Sequence, residues 1–221
     1  MEVVITFFKE EFLEAKKLIK IEEEFTKNKR TFALGTYKDK KVLVVLSNMG
    51  KANAAFTVGM TFEMYKEISK IIVLGIAGGF GKANIGDVYY GSHYYYGDFD
   101  LTVSESFNYG DCFEFKGSLK PTLKYPKEDG ITIVTSDSFI HGPFQAKNIL
   151  KLLNITENKV LFDMESTVVA HLCHELNIPF LAIRAVSDII GAHDQITSFK
   201  VNEEKALKAL TIGLEKIFEL N

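Results

Sequence analysis

The stretch from Lys159 to Ile190 constrains this chain more than any other, because it reads as two buried strands flanking one amphipathic helix. Val160, Leu161 and Phe162 form a short apolar run that closes on Asp163, Met164 and Glu165, and Pro179 to Val186 forms a second that closes on Ser187 and Asp188. Between them Val168, Val169, Leu172, Cys173 and Leu176 recur at helical spacing, with His171, His174 and Glu175 on the other side. A unit of this kind implies parallel strands joined by a crossover helix, so that both carboxyl ends lie on the edge where open α/β sheets bind ligands. Glu165 and Asp188 are therefore expected to share a crevice. A single acid at a strand's end is more often a cap or a solvated loop residue, and the helix dipole suffices to explain Glu165. Asp188 has no such explanation, and Arg184, a charge inside an apolar run, needs a partner if its strand is central.

The rest of the chain supports one α/β domain over residues 1–221, since no linker composition divides it and 47% hydrophobic residues supply an ample core. A formal charge of −3 gives no surplus of cations to neutralise phosphates, which excludes a general nucleic-acid binder. Two cysteines, Cys112 and Cys173, are too few for a disulfide framework and point to a reducing compartment. With neither a signal-peptide pattern nor an apolar run of membrane-spanning length, the expected location is the cytoplasm and no membrane partner is expected.

Taken in order, Val3 to Phe8 reads as a strand and Lys9 to Ile19 as a helix whose first turn holds Glu10 and Glu11, a placement the helix dipole alone would explain. A charged stretch from Glu22 to Arg30 precedes a hairpin, Thr31 to Tyr37 and Lys41 to Leu46, and Ala54 to Ser69 is helical. Ile71 to Leu74 is a strand that runs into a loop, Gly75-Ile76-Ala77-Gly78-Gly79-Phe80-Gly81, whose spacing fits neither the dinucleotide fingerprint nor the phosphate-binding lysine loop. Asp87 to Tyr96 and Ile131 to Thr135 are further strands, with an irregular excursion over Thr102 to Thr122 between them and a helix from Phe144 to Leu153 after them. Ile189 to Val201 reads as a lid, followed by a last helix capped by Asn202. His171 and His174 have a metal-like spacing without a third ligand in register and read as surface residues, so no metal is expected. No serine elbow and no catalytic cysteine context is present, which leaves carboxylates to carry chemistry.

With these pieces placed, the chain resembles the 5'-methylthioadenosine/S-adenosylhomocysteine nucleosidases of the purine nucleoside phosphorylase superfamily, over almost its whole length. The resemblance rests on Asp163-Met164-Glu165-Ser166 followed by Arg184-Ala185-Val186-Ser187-Asp188, with Lys9-Glu10-Glu11, the glycine segment and Ser136-Asp137-Ser138-Phe139-Ile140 in family order. It implies a three-layer α/β/α sandwich with a mixed central sheet, and cofactor-free hydrolysis of the N-glycosidic bond of an adenine nucleoside bearing a 5'-thioether. It further implies Asp188 as the acid that protonates adenine, oriented by Ser187, and Glu11 as the base that activates water, with Arg184 near that water. Glu165 would hold the ribose hydroxyls and Met164 would pack on the sugar. Phe139 would stack on adenine, the Ile140 backbone would read its edge, Ala77 and Gly78 would contact the ligand, and Phe199 would close over it. A homodimer is implied, with Phe107 or Tyr109 reaching the neighbour's 5'-group.

Three departures stand out: Ile76 where many members carry a hydroxyl, Phe7-Phe8 before the acidic pair, and Tyr95-Tyr96-Gly97. The alternatives are a phosphorylase, a futalosine-type hydrolase and a catalytically silent nucleoside-binding protein. Acids at Glu10 and Glu11 oppose the phosphorylase, because they would repel the phosphate that reaction needs.

Overall fold

The computed structural model describes residues 1–193 and 195–220; the side chains of 196–200 and of 203 lie outside the described residues. The described residues form nine strands and five α-helices. They are β1 (Glu2–Thr6), α1 (Lys9–Lys16), β2 (Lys20–Lys27), β3 (Arg30–Tyr37), β4 (Lys40–Leu46), α2 (Lys51–Met64), β5 (Lys70–Gly81) and β6 (Val88–Tyr96), then β7 (Gly130–Thr135), α3 (Pro143–Leu152), β8 (Lys159–Asp163), α4 (Ser166–Glu175), β9 (Phe180–Ile189) and α5 (Gln195–Leu220). One mixed sheet runs in the order β2-β3-β4-β1-β5-β8-β7-β6-β9. Because β9 also pairs with β5, the strands β5, β8, β7, β6 and β9 close into a ring.

The near-continuous apolar runs of the central strands are explained by cover on both faces. Along β5, Ile71 and Val73 face a core shared with Ala54 and Val58 of α2 and Val169 and Cys173 of α4, while Ile72 and Leu74 face Phe12 of α1 and Leu210 and Leu214 of α5. Alternate residues of one strand thus serve opposite helical layers, which is the period-2 geometry of a strand. The third helix position, α3, packs Ala146, Ile149 and Leu150 against Val134, Phe162 and Ile190.

Several expectations change. The charged stretch after α1 is the strand β2, exposed along nearly its whole length. It sits at the edge of the sheet, where charges block pairing with other chains, and its lack of alternation hides it in the sequence. The glycine segment is no loop but the second half of β5. The segment expected as a lid is helical from Gln195 onward, so Asn202 lies inside α5 and does not cap it. Most consequential, β8 and β9 do not run parallel: β8 is antiparallel to β5 and β9 is parallel to it, on opposite sides of that strand.

Candidate active site

The acids at the ends of β8 and β9 do meet, though through β5 rather than through a shared parallel edge. Gly78 of β5 is the register partner of Phe162 on one side and of Asp188 on the other. Along β9 the register shifts by one residue between Val186 and Asp188, leaving Ser187 as an extra residue. A bulge of this kind re-aims side chains that a regular strand would send to opposite faces. Here Ser187 and Asp188 both line one cavity of about 430 Å³, with Phe8, Met49, Ile76, Ala77, Gly78, Phe139, Phe162, Asp163, Met164 and Glu165. A volume of this order, mostly apolar walls and a few convergent polar groups are the features of a small-molecule site.

The polar groups fall into two sets. In the first, Arg184 is fully buried on β9 and spreads its guanidinium among acids and carbonyls. Its Nη2 lies 2.7 Å from Asp163 Oδ2 and 3.1 Å from Glu165 Oε2, its Nε donates to Ser166 Oγ at 3.1 Å, and its Nη1 donates to the Ile76 carbonyl at 3.3 Å. Glu11 approaches from α1. Its Oε2 accepts from the amides of Phe7 and Phe8 at 2.8 and 3.0 Å, and its Oε1 accepts from the amide of Ile76 at 2.9 Å. Glu11 thereby ties off backbone donors at the start of its own helix, the capping role open to any acid there, and also reaches across to β5. Gly75 makes room for this: a Cβ there would come within 2.7 Å of Glu11 Oε1 and would collide with Arg184. Glu165 also accepts from the Gly50 amide at 3.0 Å, which fixes the turn that brings Met49 to the cavity. Burial pushes the Glu11 and Glu165 carboxyls up, against the downward pull of Arg184.

The second set, among the described residues, is Asp188 with two neutral donors. Ser187 Oγ donates to its Oδ1 at 2.6 Å, and Gln195 Nε2 donates to its Oδ2 at 2.7 Å. Burial raises the Asp188 carboxyl and these two bonds partly oppose the rise. The same Gln195 amide donates to the Ile140 carbonyl at 3.1 Å.

The Phosphorylase superfamily family model matches residues 3–219. A 5'-methylthioadenosine/S-adenosylhomocysteine nucleosidase of Bacillus cytotoxicus is 30% identical over 207 residues, covering 86% of each chain. The chain belongs to this nucleosidase family. The nucleosidase of Bacillus velezensis is 28% identical over 98% of this chain and 95% of its own. Among solved structures, the Neisseria meningitidis nucleosidase in complex with methylthio-immucillin-A has a TM-score of 0.88 at 23% identity, covering 99% of this chain and 98% of that one. Futalosine hydrolase of Helicobacter pylori has a TM-score of 0.87 at 18% identity, covering 99% and 97%. At such identities these two similarities speak for the fold.

Against the family pattern, the structure brings Ala77, Gly78, Phe139, Met164, Glu165, Ser187 and Asp188 to the cavity wall. Glu11 and Arg184 stand behind that wall, bonded to the backbone of Ile76 and, for Glu11, of Phe8 as well. Ile140 lines a small adjoining cleft beside Phe139. The side chain of Phe199 lies outside the described residues. Phe107 meets Phe113 edge-on with centroids 4.9 Å apart, within its own excursion, while Tyr109 donates to the Gly97 carbonyl at 2.9 Å and packs against the core under α3. Sequence reasoning missed Met49, Phe162 and Gln195 and left Asp163 without a role. Only Asp163 carried a usable signal, since it precedes α4 and accepts from the Ser166 amide at 3.2 Å as a helix-capping acid does.

Proposed function

We propose that this chain hydrolyses the N-glycosidic bond of 5'-methylthioadenosine and S-adenosylhomocysteine, releasing adenine and the 5-thio-ribose. The observation that carries the reading is the pairing, in one apolar cavity, of an aspartate held by two neutral donors with a carboxylate-rich cluster around one guanidinium. Cleavage of C1'–N9 leaves electrons on the purine and positive charge on the sugar, so the two ends need opposite help. Asp188, whose protonated form burial favours, donates to adenine N7 as the bond breaks. Glu165 accepts from the ribose hydroxyls, and Met164 and Phe8 exclude bulk water around the sugar. The buried acids Glu11, Asp163 and Glu165 outnumber the single Arg184, so the negative field at that end favours an oxocarbenium-like ribose. Glu11 takes the proton of the water that attacks C1'.

In this account the Gln195 amide bridges Asp188 and the Ile140 carbonyl where the exocyclic amine of adenine would donate, and it must withdraw when the base arrives. The phosphorylase alternative has little support. Arg184 is committed to buried acids, and Arg30 donates to the Asn28 carbonyl, Asn53 Oδ1 and Thr57 Oγ1. A homodimer working in the cytoplasm, in the recovery of methionine from thio-nucleosides, completes the proposal; no described helix is long and apolar enough to cross a membrane.

The test is adenine release from methylthioadenosine by the purified protein, with and without phosphate, with the sugar identified. Equal release in both conditions with free methylthioribose is expected. Release that requires phosphate and yields the sugar 1-phosphate would overturn hydrolysis, and release from futalosine alone would move the substrate.

A further inference from the structure

Away from the cavity, the segment 97–122 holds no helix or strand of its own and meets α4 through aromatic packing. The rings of Phe115 and Tyr96 stand edge-on to His171, with centroids 5.1 and 6.0 Å away. At this junction the Cys112 sulfur, a Glu114 carboxylate oxygen and a His171 ring nitrogen all lie within 4.8 Å of one another. Glu114 Oε2 is 4.0 Å from His171 Nε2, and Glu175 Oε1, one turn further along α4, is 3.8 Å from the same nitrogen. His171 Nε2 is buried and makes no hydrogen bond, while Nδ1 sits 3.0 Å from the Tyr96 hydroxyl. His171 is thus no plain surface residue. Its neighbour His174 is exposed and takes no part.

We propose that Cys112, Glu114, His171 and Glu175 form a binding site for a divalent transition-metal ion, zinc above all, which pins the 97–122 segment to α4. Thiolate, imidazole and carboxylates are a borderline-soft set that suits zinc and fills a closed tetrahedral site. Four ligand atoms at zinc bond lengths stand roughly 3.3 to 3.8 Å apart, so the two glutamate oxygens need to move only by a side-chain adjustment. The spacing is chelating from both sides: Cys112 and Glu114 are two apart on the loop, and His171 and Glu175 are four apart on one helix face. Tyr96 supplies the outer contact that metal-binding histidines have, accepting the Nδ1 proton and leaving the Nε2 lone pair for the ion. The competing arrangement is a protonated His171 between two glutamates. It leaves the Cys112 thiol protonated and donating to the Phe115 carbonyl at 3.6 Å, whereas the ion takes it as thiolate, so Cys112 separates the two. Nothing in the proposal depends on the nucleosidase reading.

The experiment uses the full chain, stripped with a chelator and titrated with cobalt(II) and then zinc(II). Expected are one equivalent of cobalt per chain, a sulfur-to-cobalt charge-transfer band in the near ultraviolet, strong visible bands of a tetrahedral ion, displacement by zinc and a thermal midpoint raised by several degrees. Cys112→Ser should remove the charge-transfer band, and Glu114→Gln and Glu175→Gln, both exposed positions, should each weaken zinc by about tenfold or more. A folded wild-type chain that shows no cobalt band would overturn the site. So would a band that survives Cys112→Ser, or zinc affinity unchanged in both glutamine variants.

Discussion

The two polar ends of the cavity are built on opposite principles. At one end Arg184 is shared among Asp163 and Glu165 while Glu11 accepts from three backbone amides, so every group is fixed by charge or by main chain. At the other end Asp188 accepts, among the described residues, from a serine hydroxyl and a glutamine amide. A carboxyl with no cation beside it holds its proton more readily than one facing a guanidinium. Burial raises the carboxyls at both ends, so the contrast lies in what opposes that rise: a guanidinium beside Glu11 and Glu165, neutral hydrogen bonds at Asp188.

The largest effect should come from breaking the clustered end. Arg184→Met leaves buried acids without their cation and is expected to cost about 3 to 5 kcal/mol of stability by chemical denaturation. A loss below about 1 kcal/mol would mean that these acids are already protonated and do not use the arginine.

Next, Asp188→Asn is expected to lower kcat by about 10²- to 10⁴-fold while the chain stays folded, because an amide keeps the Ser187 contact and cannot protonate adenine. Unchanged turnover would remove Asp188 as the acid. The same variant tests the pKa direction. A carboxyl raised in the folded state adds stability at low pH that disappears as pH climbs through its folded value. Asp188→Asn should therefore gain stability relative to the wild type as pH climbs above the usual aspartate range; a difference that is flat, or that falls with pH, would contradict the raised carboxyl.

A smaller effect is expected at the neutral end. Gln195→Ala frees Asp188 Oδ2 and the Ile140 carbonyl, so KM should fall several-fold and the alkaline limb of kcat/KM should move up as a bond to the ionised carboxylate is lost. A rise in KM would show that Gln195 holds the substrate rather than its place.

How far the sequence could go differs between these ends. The strand ends put Glu165 and Asp188 in one crevice, Glu11 joined them only through the family resemblance, and the apolar run around Arg184 announced that it must be paired. The direction of β8 was not readable, because a helix between two strands looks the same whether the strands pair with each other or with a third between them. The bulge at Ser187 left no mark, since an extra residue in a buried strand is as apolar or small as its neighbours. Gln195 was hidden for another reason: an amide at the start of a helix has many bland uses, and only the fold brings it to Asp188. In β2, Glu22, Glu23 and Glu24 concealed an edge strand whose stability comes from its β3 partner rather than from burial.

The most direct test of the division between the two ends uses a 5-thio-ribosyl substrate whose leaving group, such as p-nitrophenolate, departs without protonation. Asp188→Asn should cleave it at a rate within about tenfold of the wild type, while Glu11→Gln should lose activity on it as on the nucleoside. Equal loss in both variants on the activated substrate would contradict the account, because the two carboxyls would then serve one step together.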